Sequence, residues 1–166
     1  MNKKYLYLIL ITAIVVILDQ ITKMYININF RLGESVPVIQ DIFHITYVRN
    51  TGAAFGLFSN ASELFRTAFF LSLPPIAMIA IFMFIKSTPE KEKLQCMALS
   101  LVFAGALGNY IDRLRFRYVI DFLDFHYKNV WSYPAFNVAD ISIVCGVIAL
   151  FYFTFTEEIR KKKVKS

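Results

Sequence analysis

The feature that most constrains this chain is a series of four long apolar runs separated by polar segments. A bilayer core of about 30 Å is crossed by a helix of roughly 20 apolar residues, because an α-helix rises about 1.5 Å per residue. We therefore predict transmembrane helices over residues 5–28, 64–85, 94–113 and 138–156. A hydrophobic content of 57% is too high for a soluble globule of this length. The chain is predicted to be a single integral membrane domain, 1–166, with an all-α membrane part.

The distribution of basic residues predicts how these helices are oriented. Lys and Arg translocate poorly and stay on the cytoplasmic side. Lys3 and Lys4 precede the first helix, Lys86, Lys91 and Lys93 lie around the second connection, and a basic run ends the chain. Both termini are therefore predicted to be cytoplasmic. The formal charge of +6 reflects this topology and contact with anionic lipid, and no basic stretch on a polar domain suggests nucleic-acid binding.

The two outer loops, 31–62 and 114–137, differ in composition. The first contains a β-branched and aromatic stretch, 42–48, followed by a turn signal at 49–52. We expect a small β-element on the membrane surface there. The second loop mixes acidic residues with Phe, Tyr and Trp, which is typical of the aromatic belt of membrane proteins. We expect it to lie along the membrane interface.

Polar side chains inside the apolar runs cluster at one depth. A charged group in a membrane costs at least a few kcal/mol and usually faces the bundle interior or water. Here such groups lie toward the outer ends of three helices: Asp19, Gln20 and Lys23 in the first, Asn109, Asp112 and Arg113 in the third, Asn137 and Asp140 in the fourth. Residues three and four apart share a helix face, so these groups are expected to converge on one rim.

A purely structural interpretation of the same residues is also open. It pairs Asp19 with Lys23 and Asp112 with an arginine. It also makes Asn137 or Asp140 the residue that begins the fourth helix. For any single residue this interpretation is as good as a functional one, whereas coincidence of the whole set at one rim favours a functional site.

Among common hydrolytic chemistries, the residue inventory favours paired carboxylates. A metal site has only His44 and His126 to draw on, and they lie in different loops. A serine or cysteine nucleophile has no convincing base or nucleophile-elbow motif. Two nearby Asp side chains cannot both ionise, so they share a proton and together activate water. Asp140 is one candidate, and its partner could be Asp112, Asp121 or Asp124.

Five short strings together resemble the ordered motif set of the bacterial lipoprotein signal peptidases, also called signal peptidase II. They are Asp19-Gln-Ile-Thr-Lys23, Arg49-Asn-Thr-Gly-Ala-Ala-Phe55, Gly105-Ala-Leu-Gly-Asn-Tyr-Ile-Asp-Arg113, Val119-Ile-Asp-Phe122 and Phe136-Asn-Val-Ala-Asp140. Each string alone is weak, but the set covers nearly the whole chain in order. The family more often has Val at the position of Ile120, which is a conservative difference.

The resemblance implies a fold, a reaction and a set of site residues. The fold is a four-helix membrane bundle with a small extracytoplasmic β-cradle, and the reaction is hydrolysis of the peptide bond before a diacylglyceryl-modified Cys. The implied catalytic dyad is Asp121 and Asp140. Implied substrate-binding or supporting residues are Asp19, Lys23, Asn50, Gly52, Asn109, Asp112, Arg113 and Asn137.

Further expectations concern partners and location. No metal, nucleotide or flavin cofactor is expected. The partners are diacylglyceryl prolipoproteins and membrane lipid, the chain is expected to be a monomer, and the cyclic lipopeptide globomycin should inhibit it. The predicted location is the bacterial inner membrane, with the site at the extracytoplasmic face. The alternatives are a small proton-coupled transporter and a non-enzymatic scaffold.

The separation of the two catalytic carboxyl groups can also be predicted. The side-chain oxygens of Asp121 and Asp140 should come within one water's bridging reach, on the order of 3–6 Å. Asp112, one helical turn after Asn109, should lie outside that gap and be bonded to protein donors.

Overall fold

The computed structural model describes residues 2–52, 62–128 and 130–165. Within these ranges the helices are α1 Lys3–Asn29, α2 Glu63–Ser87, α3 Lys93–Phe116 and α4 Val138–Lys165. The strands are β1 Ser35–Ile39, β2 Phe43–Asn50, β3 Val119–Tyr127 and β4 Trp131–Ser132. Each helix contains a segment long and apolar enough to cross a membrane. The four predicted helices are confirmed, and the single-domain organisation stays a prediction.

The helices are longer than the hydropathy pattern indicated, because helical structure continues into the flanking polar residues. The fourth was predicted to end at residue 156, and α4 runs to Lys165. The third was predicted to end at residue 113, and α3 runs to Phe116, where Arg117 adopts a left-handed conformation with φ 67°. We refer to the end of the bundle where α1 and α3 end and α2 and α4 begin as the sheet end.

Helix α3 lies at the centre of the bundle and packs against the other three helices. Small residues allow this close approach. A Cβ atom at Gly108 would lie 2.7 Å from Asp19 Oδ2, and one at Gly146 of α4 would lie 2.7 Å from the Ala98 carbonyl oxygen. The outward faces of the other helices are apolar and open, with Ile76 and Ile148 each 62% exposed. These faces are suited to contact lipid.

At the end opposite the sheet, a buried lysine joins α1 to α2. Lys4 Nζ donates hydrogen bonds to the carbonyl oxygens of Lys86 and Thr88, at 2.6 and 3.0 Å. These carbonyls belong to the end of a helix, where backbone acceptors lack intrahelical partners and a cation is favoured. Above this contact, Leu8 and Ile85 form a small apolar cluster with a residue of α3.

The strands form one antiparallel sheet in the order β1-β2-β3-β4. The β1–β2 hairpin confirms the β-element expected in the first outer loop. The expectation for the second loop was incomplete: residues 119–127 form a strand that pairs with β2 rather than only an interfacial segment. The aromatic residues that suggested a membrane belt also favour strands, and Phe125 stacks on Phe43 across the pair at 4.5 Å.

Side chains alternate between the two faces of β3, and those on one face pack the sheet against the helix bundle. Ile120 and Phe122 point to one face and form an apolar cluster with Ile26 of α1 and Tyr47 of β2. Successive side chains of a strand point to opposite faces. Asp121, between these two residues, therefore points to the other face, where a cavity opens.

Candidate active site at the sheet end

Asp140 lies in the first turn of α4, in a reciprocal capping arrangement with Asn137. The Asp140 backbone N–H donates to Asn137 Oδ1 at 3.0 Å, and the Asn137 backbone N–H donates to Asp140 Oδ2 at 3.1 Å. Such a box satisfies donors that every helix start leaves open. Asn109 Nδ2 donates to the other oxygen, Asp140 Oδ1, at 2.7 Å. The structural interpretation of Asn137 as a helix start is thus correct, yet the half-buried Asp140 carboxylate also lines a cavity.

Asp121 is supplied by β3 and is 2% exposed. Asn137 Nδ2 donates to Asp121 Oδ1 at 2.6 Å, and Asn50 Nδ2 donates to Asp121 Oδ2 at 2.9 Å. The pairing of β2 with β3 shifts register between Ile45 and Val48, directly beside Asp121. Bulges of this kind re-aim side chains near active sites. Both oxygens of Asp121 are therefore oriented by amide donors.

Asn137 connects the two carboxyl groups. Its side-chain amide bonds Asp121, and its backbone N–H bonds Asp140. Both aspartates line one cavity of about 720 Å³, together with Asn50 and Asn109. The structure thus brings together the two residues that the resemblance implied as a dyad.

The environment of Asp121 shifts its proton affinity. Burial raises the pKa of Asp121 to about 7, and the negative charge of Asp140 contributes in the same direction. Hydrogen bonds from Asn50 and Asn137 act in the opposite direction by lowering this pKa. Near neutral pH, Asp121 is therefore populated in both its protonated and its ionised form.

A second pair of aspartates lies behind the cavity and is bridged by Lys23. Lys23 Nζ lies 2.9 Å from Asp19 Oδ2 and 3.0 Å from Asp112 Oδ2, and it donates to Asn109 Oδ1 at 2.9 Å. The pairing of Asp19 with Lys23 is as expected. The pairing of Asp112 with an arginine was wrong: its ion-pair partner is Lys23, because α1 packs directly against α3.

Each of these two aspartates also binds the backbone next to a cavity aspartate. Asp19 Oδ1 accepts a hydrogen bond from the Ala139 N–H at 2.9 Å, one residue before Asp140. Asp112 Oδ2 accepts one from the Ile120 N–H at 3.1 Å. Ile120 directly precedes Asp121 in the sequence. Asp112 is thus bonded to protein donors, as predicted.

Gln20 is a contributor that the set of predicted site residues omitted. Its Nε2 donates to Asp112 Oδ1 at 2.9 Å and lies 3.3 Å from the Gly108 carbonyl oxygen. The available signal was its place at the same depth as Asp19 and Lys23. Its partners on α3 are distant in sequence, so they cannot be assigned until the packing of α1 against α3 is known.

The remaining predicted residues border the cavity. Gly52 donates its backbone N–H to Asn50 Oδ1 at 3.0 Å, which fixes the orientation of the Asn50 amide. The Arg113 guanidinium also lines the cavity and lies over the Phe70 ring, 4.9 Å from its centroid. Residues 53–55, the last three of the string at 49–55, lie outside the described residues.

The two histidines come together away from this cavity. His44 on β2 and His126 on β3 have ring centroids 4.3 Å apart, beside Asp124. Within the described ranges, no group of three or more His, Cys, Asp or Glu residues could hold a metal ion. His44 and His126 come from different outer loops, as the sequence indicated, and the pairing of β2 with β3 brings their rings together.

Comparison with known proteins identifies the family of this chain. The family model described as signal peptidase (SPase) II matches residues 11–156. A protein of Syntrophus aciditrophicus named lipoprotein signal peptidase is 47% identical over 165 residues, which is 99% of either chain. A protein of Geobacter metallireducens with the same name is 40% identical over 163 residues, covering 98% of this chain and 99% of its own. The chain belongs to the signal peptidase II family.

A solved structure extends the likeness from sequence to fold. It is described as a bacterial membrane enzyme studied by the in meso method at 2.3 Å resolution, and it superposes with a TM-score of 0.83 at 37% identity. The match covers 93% of this chain and 90% of that one. Membership of this peptidase family confirms the expectation of an enzyme and leaves the transporter and scaffold alternatives without support.

Proposed function

We propose that this member of the signal peptidase II family is an aspartic endopeptidase that removes the signal peptide from diacylglyceryl-modified prolipoproteins. Cleavage takes place just before the lipid-bearing Cys. The observation that carries the proposal is that Asp121 and Asp140 line one cavity and are both bonded to Asn137. The names of the similar proteins support the choice of substrate.

In the proposed reaction the two carboxyl groups share one proton. The Asp140 carboxylate accepts a proton from water as the water oxygen attacks the scissile carbonyl carbon, and the Asp121 carboxylic acid donates its proton to the carbonyl oxygen. Collapse of the tetrahedral species returns a proton to Asp121 and delivers the other from Asp140 to the leaving amine. The raised pKa of Asp121 supports its role as the initial proton donor.

Neutral amides suit this chemistry better than cations would. Asn50, Asn109 and Asn137 orient the carboxyl groups by hydrogen bonds without neutralising them. The carboxyl groups therefore remain able to exchange a proton. A separation of Asp121 and Asp140 within one water's bridging reach remains part of the proposal.

The walls of the cavity support a lipid-anchored substrate. Ile143 and Val144 of α4 line it together with Asp140, and Val144 is 54% exposed. An acylated Cys keeps its peptide bond near the headgroup region, because its chains stay in the bilayer. The cavity thus combines apolar wall residues with the carboxyl groups of the two aspartates, as a lipid-anchored peptide substrate would require.

The same proposal includes location and orientation. The sheet end faces the extracytoplasmic side of the bacterial inner membrane, and both termini are cytoplasmic. Lys4 and Lys86 lie together at the opposite end of the bundle, as the positive-inside tendency requires. The enzyme acts as a monomer and needs no metal ion.

The decisive experiment is cleavage of a purified diacylglyceryl prolipoprotein by the purified protein in detergent, with the unlipidated precursor as control. Only the lipidated form should be cleaved. Globomycin should inhibit, and a strong chelator should leave the rate unchanged. Equal turnover of the two precursors, or loss on chelation with rescue by zinc, would refute the proposal.

A further inference from the structure

The end of β2 carries Asn50, which orients Asp121, yet this end of the strand is paired on one side only. Strand β1 pairs with β2 at residues 43–46, and the Tyr47 backbone bonds the two residues before β1. Beyond Tyr47, the described strands give β2 only β3 as a partner. A strand end with fewer backbone partners opens more easily. Other contacts are therefore needed to fix the position of Asn50.

Arg49 supplies such contacts through its side chain. The exposed Arg49 donates a hydrogen bond from Nε to the Tyr47 hydroxyl oxygen at 3.0 Å. Its guanidinium lies over two rings, 5.4 Å from the Tyr47 centroid and 4.8 Å from the Tyr118 centroid. A planar guanidinium suits stacking on aromatic rings. Each contact alone is weak, but the three together restrict the side chain to one orientation.

The two tyrosines connect Arg49 to the ends of two helices. The Tyr47 hydroxyl donates to Asn27 Oδ1, near the end of α1, at 2.6 Å. Tyr118 follows α3, and its ring stacks on that of Phe116, the last residue of α3, with centroids 5.6 Å apart. Arg49 thus attaches the end of β2 to α1 and α3, the same two helices whose aspartates bond the backbone beside the proposed dyad.

Alternation along β2 relates this attachment to Asp121. Successive side chains of a strand point to opposite faces, so contacts that fix Arg49 on one face also fix Asn50 on the other. There Asn50 Nδ2 donates to Asp121 Oδ2 at 2.9 Å. Burial raises the pKa of Asp121 to about 7, and the hydrogen bond from Asn50 acts in the opposite direction, because it stabilises the ionised carboxylate.

We propose that Arg49 is a positioning residue of the active site: by holding the end of β2 against α1 and α3, it keeps the Asn50 amide bonded to Asp121. This deepens the proposed function, and only the expected effect on the cleavage rate rests on that function. The effect on the proton affinity of Asp121 is measurable without substrate.

Other groups also act on Asp121 and have to stay unchanged in the test. They are Asn137 and Asp140 at the start of α4, Lys23 of α1 and Arg113 of α3. Because Arg49 is itself charged, the test also needs a variant that keeps this charge and removes only its hydrogen-bond partner. Tyr47→Phe is that variant, since it keeps the ring and the apolar packing of Tyr47.

The first experiment follows the titration of Asp121 by carbon-13 NMR of aspartate-labelled protein in detergent, with Asp121→Asn to assign the signal. In Arg49→Met the pKa of Asp121 should rise by about 0.5 pH unit or more, because the carboxylate loses part of a hydrogen bond. Tyr47→Phe should raise this pKa as well. The matched control is Arg115→Met, which removes an exposed arginine that lies over the neighbouring Phe116 ring. It should change the pKa by less than about 0.2 pH unit.

A double variant tests whether Arg49 acts through Asn50. In an Asn50→Leu background, Arg49→Met should cause no further rise, because both substitutions remove the same hydrogen bond. An unchanged titration in Arg49→Met would overturn the proposal. So would a rise in Arg49→Met without one in Tyr47→Phe, which would assign the effect to charge, or a full further rise in the Asn50→Leu background.

The second experiment measures cleavage of a lipidated prolipoprotein against pH. If Asp121 is the initial proton donor, kcat/KM falls as the pH rises through its pKa, and this fall should move to higher pH in Arg49→Met. Arg49 also borders the cavity, so a change in KM with an unchanged Asp121 titration would make it a substrate contact and overturn the positioning role. A raised pKa of Asp121 with an unmoved pH profile would support the positioning role and refute the proton-donor role of Asp121 instead.

Discussion

Two pairs of aspartates at the sheet end differ in the groups that bind them. Asp19 and Asp112 share an ammonium, Lys23, at 2.9 and 3.0 Å. Asp121 and Asp140 are bonded by neutral amides. The first pair is closed off, 0% and 1% exposed, whereas both members of the second pair reach the cavity of about 720 Å³.

The contrast suggests a structural basis for placing the two carboxyl groups of the proposed dyad. Asp19 accepts a hydrogen bond from the Ala139 N–H, and Asp112 accepts one from the Ile120 N–H. Ala139 and Ile120 each directly precede a cavity aspartate. Lys23 forms ion pairs with both Asp19 and Asp112 and so links them. The ion-paired residues therefore position backbone, and the amide-bonded pair is left free for the proposed proton transfer.

The largest effect should come from removing a proton-transfer group of the amide-bonded pair. Asp121→Asn and Asp140→Asn should each lower turnover of a lipidated prolipoprotein by at least about a thousandfold, since an amide cannot take the proton of water. Circular dichroism should confirm that both variants remain helical. Near-normal turnover by Asp121→Asn would mean that Asp140 has a different partner.

The next largest effect should come from removing the shared ammonium. Lys23→Met leaves two buried carboxyl groups without their cation and should destabilise the protein by about 3–5 kcal/mol. Lys4→Met is the matched control, because Lys4 is also buried but bonds neutral carbonyls. Thermal unfolding should give a larger loss for Lys23→Met, and an equal loss for both would contradict the proposed support.

A smaller effect is expected for one supporting carboxylate. Asp112→Asn keeps the shape of the side chain and its bond from the Ile120 N–H, but weakens the contact with Lys23. We expect about 1–3 kcal/mol of lost stability and turnover within about tenfold of the original. Abolished turnover at unchanged stability would move Asp112 into the catalytic group and erase the distinction between the pairs.

The last effect, which is small for each pH unit, is a pH dependence of stability carried by Asp121. Its pKa of about 7 in the folded protein lies above the ordinary value of 3.8, so the folded state holds this proton more tightly. The resulting stability is full below about pH 3.8 and is lost as the pH rises through about 7.

Comparison with Asp121→Asn isolates this contribution. From about pH 5 to pH 7, the original protein should lose stability relative to the variant by at most about 1.4 kcal/mol per pH unit. Parallel curves of unfolding temperature against pH for the two proteins would contradict the shifted proton affinity.

Much of the fold follows from local pattern, whereas the connections within the site do not. Apolar runs predicted the helices, and helical spacing predicted that Asn109, Asp112 and Asp140 face one rim. The choice of Asp121 depended on the resemblance, because composition alone left Asp112 and Asp124 equally open. The contact of Lys23 with Asp112 arises only when α1 and α3 pack.

The second outer loop marks where local pattern was insufficient. Strand β3 needs β2 as its partner, and the two lie far apart in sequence. Aromatic and β-branched residues are compatible with both a strand and an interfacial segment. Only the pairing itself, with Val48 opposite Asp121, selects between them.

Lys4 gives α1 a mechanical role that its distance from the chemistry conceals. A helix transmits axial displacement with little compression, and about 22 Å of helix separates Lys4 from Asp19 at 1.5 Å per residue. The hydrogen bonds of Lys4 to the end of α2 therefore set the axial position of Asp19 and Lys23 in the bundle. The contact of the N-terminal turn of α1 with the end of α2 thus helps to fix the axial position of α1, and the alignment of the proposed active site depends on that position.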